Sequence, residues 1–243
     1  MGKMIAIWGA PNSGKTVFAV KLASAIYDRY NATVLMVSCD NTAPGLPSLF
    51  PNFKGDDLFS LGVPLSKTDI TQQEVVKSIV TLKNKNNLGF LGYKDGENKF
   101  SYPTIDHIKA YTFFEVLKSI ADFVVVDCTS ILDNILSDTA VQEADEAIRL
   151  ASPTLKCISF FTSQLPLYAE PKYKLDRQII GLNCTESNCY MPVEEVKTHL
   201  KEVSFTLPYC HEIRQQTIDG DLIRPVSDKR FSAKLRAIVD KVV

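Results

Sequence analysis

An apolar segment near the amino terminus runs directly into a motif of two glycines, a lysine and a threonine. The segment is Met4-Ile-Ala-Ile-Trp8, which has the hydrophobic character of a buried strand. The motif that follows is Gly9-Ala10-Pro11-Asn12-Ser13-Gly14-Lys15-Thr16. Apolar residues then recur at helical spacing, which predicts a helix from Lys15 to about Tyr27. A chance match is the alternative, but a strand, this motif and a helix in succession are typical of a phosphate-binding loop.

Each part of the motif suits a nucleoside triphosphate. Gly9 allows a tight turn off the strand, and Gly14 lets backbone N–H groups approach a β-phosphate at the start of a helix. Lys15 brings a positive charge to the β- and γ-phosphates, and the Thr16 hydroxyl is suited to ligate Mg²⁺. We therefore predict that residues from Gly9 to Val17 bind the nucleotide and that Lys15 also takes part in catalysis.

The rest of the chain alternates apolar strands with helices. This pattern predicts an α/β fold, a mostly parallel sheet with helices on both faces, in three α/β/α layers. No linker-like stretch divides the 243 residues, so we predict one domain spanning 1–243. After the first strand the predicted strands are Thr33–Val37, Asn87–Gly92, Phe123–Asp127, Glu143–Leu150, Asp176–Asn183 and Glu202–Leu207. After the first helix the predicted helices are Thr68–Leu82, Thr104–Ile120, Ser152–Ser163, Pro192–Leu200 and Asp228–Val243.

Two further features of this pattern bear on the site. Asp127 ends a fully apolar strand, where a carboxylate is costly unless it meets a cation or donors. It fits the carboxylate that supports Mg²⁺ through water in phosphate-loop proteins, although capping the next turn is the alternative. The segment Asn41–Pro64 is rich in proline and glycine but too apolar for a flexible linker. We expect it to fold over the surface near the site, either to meet a partner or to pack in the core.

Composition excludes several partners and compartments. The net charge is −1, with both signs interspersed, so no overall field would hold DNA or an anionic membrane. No apolar run approaches the ~20 residues that span a bilayer, and we expect a cytoplasmic protein. The six cysteines form no CxxC pair, and we interpret them as reduced structural thiols: Cys39, Cys128, Cys157, Cys184, Cys189 and Cys210.

Five stretches together resemble the MinD/ParA branch of phosphate-loop ATPases, and within it the TadZ/CpaE-like proteins associated with pilus and secretion machinery. They are distributed along nearly the whole length of the chain and are Trp8–Thr16, Val34–Asp40, Ala121–Asp127, Ala144–Leu155 and Leu207-Pro-Tyr-Cys-His-Glu-Ile-Arg214 through Gly220. The first is specific to phosphate loops in general, and the combination points to this branch. The resemblance implies ATP, ADP and Mg²⁺ as ligands, a homodimer, and a sheet whose carboxyl edge holds the nucleotide.

The resemblance also assigns roles to single residues. Asp40 matches a switch carboxylate that orients the attacking water and supports Mg²⁺ together with Thr16 and Asp127. Asn183 matches the residue that recognises the adenine edge, for which a side-chain amide is chemically suited, although a strand-end asparagine in a turn is the alternative. Pro208 lies where the family lines the base pocket.

Two positions depart from the family pattern. Ala10 replaces the lysine that follows the first glycine of the loop, so no ammonium from this position reaches a partner subunit's phosphates. If that lysine acts like an arginine finger, its loss lowers the rate about a thousand-fold, and turnover should be slow. Ser38 stands where the family has a first carboxylate, which leaves Asp40 as the ionised group of that segment.

The leading hypothesis is an ATP-binding, weakly hydrolysing switch that positions or regulates a protein assembly of the pilus, secretion or conjugation type. One alternative is an ATP-dependent small-molecule kinase or ligase, similar to dethiobiotin synthetase, with a base among His107, His199 and His211. The other is a nucleotide-independent scaffold. DNA binding is disfavoured, since the basic cluster on the last predicted helix suits a solvated face. That helix resembles a peripheral membrane anchor less than a helix packed on the sheet.

Overall fold

One sheet of eight strands organises the chain in our computed structural model, which describes residues 1–51, 58–187, 191–200 and 202–243. The strands are β1 Lys3–Gly9, β2 Val34–Ser38, β3 Val80–Leu82, β4 Lys85–Leu91, β5 Phe123–Asp127, β6 Glu146–Ala151, β7 Ile179–Asn183 and β8 Phe205–Leu207. Their order across the sheet is β3-β4-β2-β5-β1-β6-β7-β8. All the pairings are parallel except that of β3 with β4. The predicted α/β class with a mostly parallel sheet is confirmed.

Helices cover both faces of the sheet. They are α1 Lys15–Tyr30, α2 Leu46–Leu49, α3 Gly62–Ser66, α4 Gln72–Lys77, α5 His107–Ile120, α6 Ile135–Glu143, α7 Leu155–Gln164, α8 Val193–Leu200, α9 His211–Ile218 and α10 Lys229–Val242. Short 3-10 turns lie at Leu165–Tyr168 and Pro171–Tyr173. Alternate residues of β1 enter different cores. Ile5 and Ile7 pack with α1 and α10, while Ala6 and Trp8 pack with α5, α6 and α7.

The last helix packs on the molecule as its pattern predicts. The large apolar residues of its predicted stripe are all buried: Phe231, Leu235, Ile238, Val239 and Val242. Asp228 caps its amino end by accepting a hydrogen bond from the backbone N–H of Phe231 at 2.8 Å. None of the helices in the described ranges has both the length and the apolarity that a membrane span requires.

The predicted helix Thr68–Leu82 is wrong in its second half. Thr71 caps α4, which ends at Lys77, and the chain then turns into β3. Val80 is buried opposite Phe90 of β4, because a hairpin with β4 lets this β-branched residue reach the core. Of the two valines in α4, Val75 is buried and Val76 is 51% exposed.

Other boundaries differ because of local capping and tertiary packing. The predicted helix Ser152–Ser163 begins later, because Thr154 caps α7 at Leu155 and Pro153 therefore lies before the helix. The short helices α2 and α3 and the helices α6 and α9 are not in the sequence prediction. Three of the predicted strands begin three residues later in the structure: Glu143–Leu150 at Glu146, Asp176–Asn183 at Ile179 and Glu202–Leu207 at Phe205.

The apolar segment Asn41–Pro64 packs mainly into the core. Its buried large hydrophobic residues are Leu46, Leu49, Phe50, Leu58 and Leu61, whereas Phe59 is 53% exposed. Residues 52–57 of this segment lie outside the described part. Core packing is therefore the better interpretation of this segment.

The cysteines Cys39, Cys128, Cys157 and Cys210 are buried free thiols, and Cys189 lies outside the described residues.

A buried lysine ties α1 to the chain that leads into α10. Lys21 Nζ donates hydrogen bonds to the side-chain oxygen of Gln216 and to the carbonyl oxygens of Leu222 and Arg224, the last two at 2.6 and 2.8 Å. Burial lowers the pKa of Lys21 to about 8 from 10.5, and Glu212 opposes the shift. The ammonium is thus costly to bury but satisfies three acceptors.

We predict that Lys21→Met destabilises the protein by about 2–4 kcal/mol near neutral pH, because three acceptors lose their donor. The lowered pKa means that the unfolded chain binds the proton more tightly. The free energy of unfolding of the wild type should therefore rise, relative to Lys21→Met, by about 1–3 kcal/mol from pH 8 to 10.5. Urea unfolding across this range tests both statements. Lys3→Met, which removes a surface lysine paired with Glu146, is the control, and an equal loss there would contradict the assignment.

Candidate functional site

The phosphate loop joins β1, in the middle of the sheet, to α1. Gly9 has φ of 145°, and a Cβ placed on it would lie 2.1 Å from the carbonyl oxygen of Leu150 in β6. The next residue, Ala10, donates its backbone N–H to the same carbonyl at 3.3 Å. Glycine at position 9 is thus required by the close approach of β6 as well as by the turn.

Gly14 places the start of α1 toward the carboxyl edge of the sheet. Its φ of 79° is left-handed, and a Cβ there would lie 2.6 Å from Nδ2 of Asn183. No side chain caps α1 at its amino end. Its first N–H groups and the helix dipole therefore suit a bound anion, the property required of a phosphate cradle. Ser13 stabilises the turn by donating its hydroxyl to the Ala10 carbonyl at 2.8 Å.

The Lys15 ammonium lies across the loop. It donates to the Ala10 carbonyl at 3.0 Å and to the Ser130 hydroxyl at 2.7 Å. Burial lowers the pKa of Lys15, and the nearby Asp127 carboxylate opposes the shift. The side chain is accordingly a partly buried cation held beside the end of β5.

Thr16 and Asp127, the two residues predicted to support Mg²⁺ together with Asp40, lie in contact. The Thr16 hydroxyl donates to Oδ2 of Asp127 at 2.7 Å. The carboxylate is 3% exposed, and its burial raises the pKa of Asp127 to about 6, against the opposing effects of the Thr16 hydrogen bond and Lys15. The raised pKa means that the ionised carboxylate is disfavoured in the folded protein, and a bound cation would stabilise it.

The oxygen atoms near Asp127 fit hydrated Mg²⁺. Ser38 lies beside Asp127 in the register of β2 and β5, and its buried hydroxyl makes no hydrogen bond of normal geometry within the described part of the chain. The candidate Mg²⁺-supporting groups are thus the Asp127 carboxylate and the hydroxyls of Thr16 and Ser38, all of which offer oxygen atoms. Mg²⁺ prefers oxygen ligands and keeps several of its water molecules. One of those waters would give the Ser38 hydroxyl a hydrogen-bonding partner.

Asp40 does not join this group in the structure. Its Oδ1 accepts hydrogen bonds from the backbone N–H groups of Thr42 and Ala43, at 2.8 and 2.9 Å. The carboxylate thus closes a turn in its own loop. The loop is also held by Asn134, whose amide donates to the Cys39 carbonyl at 2.9 Å.

A cavity of about 420 Å³ lies beside the phosphate loop, where β7 and β8 end. Asn12, Val17, Asn183 and Pro208 all line it, so the cavity unites predicted phosphate-loop and base-pocket residues. Nδ2 of Asn183 donates to the Ser13 carbonyl at 2.9 Å. One N–H of the amide is therefore engaged with the loop itself, and the amide oxygen and the second N–H remain as hydrogen-bonding groups for a ligand.

Several residues of this site are absent from the sequence prediction. Ser130 meets Lys15, and Thr185 and Arg214 line the cavity. A hydroxyl residue just beyond Asp127 was a usable signal for Ser130, because the ends of parallel strands gather at one edge. Arg214 belongs to the segment Leu207–Gly220 that resembles the family, but the pattern assigns it no role, and the packing of α9 brings it to the cavity.

Comparison with known proteins shows the fold. No family model and no curated protein matches the sequence. Among solved structures, MinD of Pyrococcus horikoshii with Mg-ADP is similar at 20% identity and a TM-score of 0.75, over 100% of this chain and 96% of that chain. A plasmid partition protein of Borrelia burgdorferi bound to AMPPNP gives 18% identity and a TM-score of 0.74, over 100% of both chains. The MinC:MinD complex of Aquifex aeolicus gives 18% and 0.74, over 100% and 98%.

We predict that Asp127→Asn stabilises the protein in the absence of nucleotide and metal. Because burial raises the pKa of Asp127 to about 6 from 3.8, ionisation disfavours the folded state as pH rises through this interval. Near pH 7.5 in EDTA the variant should gain about 1–3 kcal/mol over the wild type, and the gain should vanish near pH 4.

Urea unfolding at the two pH values provides the measurement. Asp133→Asn, at an exposed position of the next loop, is the matched control and should change little. A variant less stable than the wild type at the higher pH would contradict the assigned cost of the buried carboxylate.

Proposed function

We propose that this protein is an ATP-binding, slowly hydrolysing ATPase that acts as a nucleotide-dependent switch on a protein assembly. The observation that carries the proposal is the phosphate loop, with Thr16 hydrogen-bonded to Asp127 at 2.7 Å and a base-sized cavity directly beside it. These features provide places for a base, a phosphate chain and a divalent cation in one continuous path.

The order of strands sets the direction of the nucleotide. With the base in the cavity at β7 and β8, the phosphates would pass over the start of α1, and the γ-phosphate would lie near the ends of β2 and β5. Lys15 would neutralise charge on the β- and γ-phosphates. Thr16 and Asp127 would hold Mg²⁺, which supplies charge neutralisation between those two phosphates. Release of Asp40 from its turn would bring its carboxylate toward an attacking water.

Slow turnover follows from the residue at position 10. The Ala10 side chain is fully buried in the core between the sheet and the helices α5 to α7. The position thus provides no cation in cis or to a partner subunit. If that cation is worth as much as an arginine finger, hydrolysis is about a thousand-fold slower than with it. ADP would then form slowly enough for the ATP state to persist.

The finer assignment is a TadZ/CpaE-like ATPase of a pilus, secretion or conjugation assembly, acting in the cytoplasm as a homodimer. The five stretches that resemble this group support it, together with a fold shared with MinD in the MinC:MinD complex. The near-neutral charge disfavours DNA as the partner. Burial of the apolar face of α10 against the rest of the molecule counts against membrane anchoring by that helix.

The two alternatives have weaker support. A small-molecule kinase or ligase needs a base near the γ-phosphate. None of His107, His199 and His211 lines the cavity at the ends of β7 and β8 or the cavity formed by the loops after β2, β4 and β5, and His107 is instead hydrogen-bonded to Thr139. A nucleotide-independent scaffold would not need the buried carboxylate of Asp127, whose raised pKa makes it costly without a cation.

Binding of a fluorescent ATP analogue with Mg²⁺ tests the proposal. We expect micromolar affinity for the wild type and a loss of at least about a hundred-fold in Lys15→Ala, because a charge-assisted contact to phosphate is removed. Lys94→Ala, a lysine outside the loop, should bind as the wild type. Equal binding by Lys15→Ala and the wild type, or no binding by the wild type at millimolar analogue, would overturn the proposal.

Base selection provides a second test. If the amide oxygen of Asn183 accepts from the adenine amino group, the wild type should bind ATP about ten-fold more tightly than inosine triphosphate, which lacks that donor. The preference should disappear in Asn183→Ala. Competition binding with both nucleotides measures it, and an unchanged preference in the variant would remove Asn183 from base recognition.

A further inference from the structure

A second cavity, of about 320 Å³, lies on the other side of the phosphate loop from the base cavity. Its walls come from the loops that follow β2, β4 and β5. Asn41 and Thr42 follow directly on Asp40, and Thr129 follows closely on Asp127. Under the proposed direction of the nucleotide, this cavity is on the γ-phosphate side. We call it the switch-side pocket.

The pocket is held open by a set of hydrogen bonds around Glu97. The Glu97 carboxylate accepts from the Ser60 and Tyr102 hydroxyls, both at 2.6 Å, and from the backbone N–H of Lys94 at 2.8 Å. The Tyr102 ring packs against Gly62, where a Cβ would lie 2.1 Å away. The segment from Tyr93 to Ile105 is thereby fastened to α3, so the pocket does not need to form on binding.

The lining of the switch-side pocket is nearly neutral. Asn41, Thr42 and Thr129 are among the amide and hydroxyl residues at its wall, and within the described part of the chain the charged lining residues are Lys99 and Asp133, which are exposed and of opposite sign. A strongly anionic or cationic ligand would lose hydration without a matching charge. Neutral hydrogen-bonding groups, such as those of a peptide backbone, suit this wall.

The floor and lips of the pocket are apolar. Leu65, Tyr93 and Leu136 form part of the floor. At the lips Phe100 is 83% exposed and Ile131 is 54% exposed. An apolar pocket with exposed apolar lips and a polar wall is the surface on which a protein partner buries one anchoring side chain.

We propose that the switch-side pocket receives an apolar side chain from an extended segment of a protein partner, and that nucleotide state controls its affinity. The second part rests on the proposed function, because Asn41 and Thr42 would move if Asp40 left its turn for the γ-phosphate side. The occupant is a neutral polypeptide segment, with its backbone on the amide and hydroxyl wall and its side chain on the floor.

The test uses capped amino acids as minimal polypeptide probes, with binding measured from ¹H–¹⁵N chemical shifts. The probes are the N-acetyl, N′-methylamide derivatives of leucine, tryptophan, arginine and aspartate. We expect the leucine and tryptophan probes to shift the amides of Asn41, Ile105 and Thr129, with several-fold tighter binding in the presence of Mg²⁺ and a non-hydrolysable ATP analogue than with ADP. The arginine and aspartate probes should bind at least ten-fold more weakly.

Two variants localise the effect. Thr104→Trp fills the pocket from its exposed rim and should weaken apolar probe binding at least ten-fold. Ile108→Trp, at a 77% exposed position outside the pocket, is the matched control and should leave it unchanged. The pocket assignment would be overturned if a charged probe bound most tightly, or if Thr104→Trp and Ile108→Trp bound the apolar probes equally. It would also be overturned if Thr104→Trp changed only the self-association of the protein.

Two further outcomes separate this inference from the proposed function. Equal probe affinity with the ATP analogue and with ADP, when both nucleotides bind, overturns nucleotide control and leaves the ATPase proposal intact. Failure of the ATP analogue itself to bind overturns the proposed function, while probe binding to the nucleotide-free protein still tests the pocket.

Discussion

The buried carboxylate of Asp127 is the constraint around which this structure is arranged. An ionised group at the end of an apolar strand is unfavourable unless donors and positive charge surround it. Thr16 supplies the donor and Lys15 the charge, and both belong to the loop that leaves the neighbouring strand β1. Their position depends on Gly9 and Gly14, whose missing side chains let β6 and Asn183 approach. The charge, the glycine-dependent loop and the order of strands therefore belong to one arrangement.

The same strand order separates two cavities with different chemistry. Asn183 lines the cavity at the ends of β7 and β8, while the switch-side pocket lies among the loops that follow β2, β4 and β5. Between them run the phosphate loop and the start of α1. A ligand that spans from the first cavity toward the second would contact both the loop and the segment after Asp40. This geometry gives a physical route by which a phosphate group could alter a surface for a neutral polypeptide.

Fold and catalytic detail are constrained differently in this chain. Similarity to MinD and to the partition protein extends over the whole chain at 18–20% identity, because many apolar sequences fill the same layered core. Ala10 and Ser38 lie in the phosphate loop and at the end of β2, and both are buried. A buried alanine and a buried serine cost the core little, so the fold is retained whatever the catalytic consequence.

The sequence by itself determined the layered α/β class, the phosphate loop and the carboxylate of Asp127, since each depends on local patterns of apolar residues, glycines and a strand-end charge. Tertiary structure alone decided that Val80 forms an edge strand rather than the end of a helix, because its burial requires β4 as a partner. It also decided that Lys21 is buried and that Arg214 and Ser130 reach the site. Their partners lie far along the chain, and only packing of the helices on the sheet brings them together.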